Sequence, residues 1–98
     1  MNYTVTIDNK IQLVLNNINY RTEEALNEFL LLKLSGKIAE FAADCEFYEN
    51  KYKCALIAFE KQIEMQDNEN DVQYHDFLAW KFAMESRNFY QNQLSSIL

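Results

Sequence analysis

Apolar side chains recur at steps of three and four through the middle of the chain, at Leu31, Leu34, Ile38, Phe41, Cys45, Tyr48 and Tyr52. That spacing holds a stripe of side chains toward one partner helix. The stretch 22–52 contains no proline, and Gly36 is the single glycine of the chain. It therefore predicts one long helix, about 46 Å from end to end. Phe29, Leu32, Gly36, Ala39 and Ala43 fall on the far side as a second stripe, and its small residues would let another backbone come close. A helix that is apolar on two sides has to be covered twice.

The same reading extends to both ends of the chain. Tyr3, Val5 and Ile7 alternate with Thr4 and Thr6, the period of a short strand. Asp8 then offers an N-cap, and Ile11, Val14, Leu15 and Ile18 take the i, i+3, i+4, i+7 places of an amphipathic helix. A hairpin turning at Asp8-Asn9 competes, because Ile11, Leu13 and Leu15 also alternate; the helix is preferred. Thr22 followed by Glu23 and Glu24 starts the long helix, with acids in its positive first turn. Whether that helix stops near Tyr52 or runs on through Leu56, Phe59 and Ile63 is open, with a separate short helix over 54–65 preferred. Gln66 to Asp71 is the clearest loop. The last helix, 71–97, carries Ala79, Trp80, Ala83, Met84, Tyr90 and Leu94 on one broad face and Leu78, Phe82 and Phe89 on roughly the opposite one. The expected fold is a mainly α single domain over 1–98: an arm over 1–21 with a short strand, one long central helix and a helical hairpin.

Composition sharpens this picture. Ninety-eight residues bury a modest core, yet the chain holds seven Phe, six Tyr and one Trp. Part of that apolar load is expected in an interface, with Leu31, Leu34, Ile38, Phe41, Ala39, Ala43, Tyr48, Tyr52 and Trp80 as the candidate partner-binding residues. Oligomerisation, as a homodimer or hetero-oligomer, follows from the same argument. A net charge of −6 opposes binding to phosphate backbones and favours a small basic protein as partner. The acidic window Glu64, Asp67, Glu69, Asp71 and Asp76 could neutralise such a surface, although a solvated loop is its plainer use. Cys45 and Cys54 lack metal or redox spacing and there is no secretion signal, so reduced thiols in the cytoplasm are expected. No apolar run is long enough for a membrane span.

Catalysis has little to stand on. His75 is the only histidine, no Glu-x-x-His pair supplies metal ligands, and no glycine-rich loop could cradle a phosphate. The nucleases of the HEPN type carry an Arg shortly before the His, and no Arg occupies the residues leading to His75. No enzyme activity, cofactor or metal is expected.

Two resemblances add direction. Lys33-Leu34, Ala39-Glu40-Phe41, Phe47-Tyr48-Glu49-Asn50-Lys51-Tyr52, Phe59-Glu60 and Asp76-Phe77-Leu78-Ala79-Trp80-Lys81 resemble small helical prokaryotic antitoxins encoded beside a toxin, which implies a protein that binds and neutralises a small partner. Lys53 stands where those proteins have a glycine, which leaves the helix break unsettled. The order strand, helix, Arg21-Thr22-Glu23-Glu24, helix is similar to the ribbon-helix-helix regulators, an alternative in which Asn2, Thr4 and Thr6 would read a DNA major groove. Against it, Lys10, Arg21, Lys33 and Lys37 are balanced by Asp8, Glu23, Glu24 and Glu28, where a positive surface is expected. A stand-alone homo-oligomeric adaptor is the third possibility.

Overall fold

The computed structural model describes residues 8–66 and 71–98. The expected strand, with Asn2, Thr4 and Thr6, and residues 67–70 of the expected loop lie outside them. Among the described residues the fold is all α, in the order α1 (Asn9–Asn17), α2 (Thr22–Tyr52), α3 (Leu56–Glu64) and α4 (Asp71–Ile97). Residue contacts divide the chain into two compact units, Met1–Leu32 and Lys33–Leu98.

In the first unit, Asp8 caps α1 as its sequence suggests: its carboxylate accepts from the Lys10 amide at 2.7 Å. The helix, and not the competing hairpin, is what forms. It ends in a Schellman turn. Asn19 takes a left-handed φ of 59°, and the amides of Tyr20 and Asn19 reach back to the carbonyls of Leu15 and Asn16. Asparagine tolerates this conformation better than other side chains, so the turn needs no glycine. Thr22 opens α2, but its hydroxyl donates across to Gln12 Oε1 at 2.9 Å, tying α1 to the start of α2. The Tyr20 hydroxyl donates to the Glu28 carboxylate one helix away.

In the second unit the seam of α2 packs on the chain's own α4. Phe41 lies edge-on to Phe82 and stacked on Tyr90, Tyr48 stacks on Trp80, and Tyr52 reaches both Trp80 and Asp76. Falling numbers on α2 thus meet rising numbers on α4, and the two helices run antiparallel. Cys45, Phe59, Trp80 and Ala83 form the buried centre, with Phe41, Tyr48, Tyr52, Leu56, Ile63, Phe77 and Met84 packed around it. Within the seam, Phe41, Tyr48 and Tyr52 are part-buried at this centre, while Leu34 and Ile38 are half-buried farther along α2. Burying a large aromatic side chain contributes about 2–3 kcal/mol, and ring pairs add about 1 kcal/mol each.

The break after α2 rests on an unusual residue. Lys53 adopts φ 57°, and its amide donates to the Glu49 carbonyl at 2.8 Å, a left-handed cap of the kind glycine usually supplies. The chain therefore turns at the position where the helix could have run on, and α3 folds back separately. That return brings Phe59 to 4.0 Å, centroid to centroid, from Tyr52.

A polar clasp closes the same end of the α2–α4 pair. Lys51 Nζ lies 2.7 Å from Asp76 Oδ2, and the Tyr52 hydroxyl donates to the same oxygen. Hydrogen bonds from Lys51 and then Tyr52 hold the Asp76 carboxyl below the ordinary aspartate value. The Lys51 ammonium is pushed up chiefly by its bond to Asp76. Burial pushes the Tyr52 phenol up, with the bond to Asp76 adding to it.

Two outcomes follow. Lys53→Gly relieves the left-handed strain and raises the stability of the chain by about 1 kcal/mol, read as a shift of the urea midpoint at unchanged slope. Asp76 has a depressed folded-state pKa, so its contribution is complete above the ordinary aspartate value of about 3.9 and is lost as pH falls below it. Asp76→Asn lowers stability at pH 7 by about 1 kcal/mol and removes that part of the acid dependence, checked by thermal melts from pH 7 to pH 2.

Candidate interaction surface

With its seam turned onto α4, α2 presents the opposite face outward. Gly36, Ala39 and Ala43 are exposed there, and Phe47 continues the strip at 60% exposure. A Cβ added at Gly36 would meet nothing within 4 Å. The strip is thus open along its length, with small residues at one end and an aromatic ring at the other. Carboxylates stand on both borders, Glu40 and Asp44 along one side, where Lys33 and Lys37 also lie, and Glu46 along the other, all exposed. Lys37 Nζ lies 3.6 Å from Glu40 Oε2, an exposed pair of little energetic weight. Phe47 is held in place edge-on against Tyr48, so the outward ring is anchored to the seam.

The outward face of α4 is apolar as well. Leu78, Phe82 and Phe89 are 43%, 64% and 55% exposed. In the first unit, Leu15, Ile18, Tyr20, Phe29 and Leu32 line an open groove of about 380 Å³. No residue of α1 is buried, so this unit also keeps an apolar surface in reach of a partner.

The candidate partner-binding residues divide by location. Ala39 and Ala43 are on the open strip of α2. Phe41, Tyr48 and Tyr52 pack inside the second unit, where Trp80 is fully buried. A partner meets none of the Trp80 surface while the fold is closed. Leu34 and Ile38 are half-buried in the second unit, and Leu31 is half-buried in the first. The physical reason for the division is size: the bulky stripe of α2 fills the space against α4, while the small stripe leaves none to fill.

Polar residues in the α4 seam are not visible as such in the sequence. Arg87 lies close enough to Cys45 to oppose the upward push that burial gives its thiol. Cys45 is 1% exposed and packs as an apolar core residue. Asp76, which the sequence groups with an acidic surface, is instead the acceptor of the clasp. Of the remaining acidic window, Glu64 is exposed, and Asp67 and Glu69 lie outside the described residues. His75 is exposed on α4.

Among the described residues no three His, Cys, Asp or Glu side chains are grouped to hold a metal ion, and no helix is long and apolar enough to cross a membrane. No protein-family model, no curated protein and no solved structure matches this chain.

Proposed function

We propose that this protein is a non-catalytic protein-binding module whose partner is a small basic protein, with neutralisation of a toxin encoded beside it as the specific form of that role. The observation that carries the reading is the open strip of α2, where Gly36, Ala39, Ala43 and Phe47 are exposed between Glu40, Asp44 and Glu46. Small side chains let a partner backbone approach closely, the phenyl ring supplies a buried anchor, and the carboxylate borders attract and orient a basic rim. The net charge of −6 favours the same encounter over long range. A cytoplasmic location suits such a pairing and the two free thiols.

Coexpression with small basic proteins from neighbouring genes, followed by copurification and calorimetry, is the test. Gly36→Ala gives opposite signs in its two readouts. It raises the stability of the free chain by about 0.5–1 kcal/mol, because alanine is the better helix former and its methyl meets nothing. It weakens the complex, because the methyl occupies the close approach. Ala39→Arg leaves the fold within about 0.5 kcal/mol of the parent, as an exposed helix position should, and weakens binding at least tenfold through bulk and like charge. Binding by no neighbour, or a complex indifferent to both substitutions, contradicts the proposal.

A further inference from the structure

The outward face of α4 has its own register. His75, Leu78, Phe82, Glu85, Phe89 and Asn92 follow alternating steps of three and four, a second heptad seam on the side opposite Trp80. All six are exposed. A seam of this length, about 26 Å, leaves Leu78, Phe89 and much of the Phe82 ring in water, Phe82 lying edge-on to Phe41 of α2, and an exposed apolar stripe of this kind suits a second half. The polar residues within it identify that half.

We infer that the outward face of α4 pairs with the same face of a second copy of this chain, antiparallel about a two-fold axis between Phe82 and Glu85. In an antiparallel helix pair each a position faces a d position of the other helix. With the axis there, every layer is self-consistent. Leu78 of one copy lies opposite Phe89 of the other, Phe82 opposite Glu85, and His75 opposite Asn92. The Glu85 methylenes cover the phenyl of Phe82, and the carboxylate lies at the flank. Lys81, one residue before Phe82 on the same flank, then meets the Glu85 carboxylate of the other copy, twice per dimer.

This charge match is what selects a second copy as the occupant. A parallel pairing would set Glu85 against Glu85 in the middle of the interface, where like charges lose solvation without a partner. A basic partner would meet Lys81 along the same edge. The isologous arrangement satisfies both charges and repeats each contact, as a two-fold interface must. Its extent, on the order of 1,000 Å² in total, places it at the lower end of specific interfaces. The dimer therefore dissociates readily on dilution. It leaves the strip of α2 free, so it neither requires nor excludes the partner proposed above.

Sedimentation equilibrium of the full chain from 1 to 100 μM, at low salt, tests the inference. The parent chain is expected to dimerise within that range. Glu85→Lys is expected to weaken the dimer at least tenfold by setting a second ammonium group against Lys81, and the double variant Lys81→Glu/Glu85→Lys to restore it, because the pair is reversed but intact. Circular dichroism melts of each variant check that folding is retained. Phe82 also touches Phe41 inside the chain, so the charge reversal, which touches no core residue, is the decisive pair. A monomeric parent chain over the whole range, a dimer unaffected by Glu85→Lys, or a double variant no tighter than Glu85→Lys would each overturn the inference.

Discussion

The arrangement of Lys33–Leu98 depends on the burial of one indole. Trp80 is fully enclosed, with Tyr48 stacked at 6.0 Å, Phe59 at 5.6 Å and Tyr52 at 6.4 Å. These rings come from α2 and α3, so a single side chain of α4 fixes both other helices of the unit. A small chain has little interior to distribute, and here it is concentrated at the end of the α2–α4 pair where α3 returns. The clasp of Lys51, Tyr52 and Asp76 seals that end. Farther along the pair, Leu34 and Ile38 of α2 and Leu94 of α4 are half-buried.

Concentrating the core in this way has a functional consequence. Large apolar side chains remain outside at Phe47, Phe82 and Phe89, and they stand on helices whose inward faces are already fixed. Such a surface is preorganised: a partner gains the contact area without the cost of ordering the helix that carries it. The two outward faces differ in their charges, the strip of α2 flanked by Glu40, Asp44 and Glu46 and the face of α4 carrying Lys81 and Glu85, and they are the faces proposed above for a basic partner and for a second copy. The charge pattern of each face, more than its hydrophobicity, distinguishes them.

Much of this fold was legible in the sequence. The three-and-four spacing of α2 and the cap at Asp8 locate their helices, because both signals are local. Which of the two apolar stripes of α2 turns inward was not legible by period alone, since the stripes share it. Side-chain volume decides it: rings at Phe41, Tyr48 and Tyr52 fill the space that Gly36, Ala39 and Ala43 cannot. The left-handed Lys53 was concealed for a related reason. Its conformation is stabilised by what the turn allows, the return of Phe59 onto Tyr52 and Trp80, which is a long-range contact. Asp76 was hidden because the sequence shows its acidic neighbours along the chain and not its cationic neighbour across the helix pair.

The bulky seam of α2 is covered by the chain's own α4 and not by another molecule. Trp80 reports on this directly, being the only tryptophan. Its emission spectrum and acrylamide quenching, followed from micromolar concentration down to the nanomolar range where any dimer has dissociated, measure whether its cover comes from within. Blue-shifted emission and protection from quenching are expected at every concentration. Emission that shifts to the red and becomes quenchable as the protein is diluted would show that a second chain covers the seam, and would contradict cover by the chain's own α4.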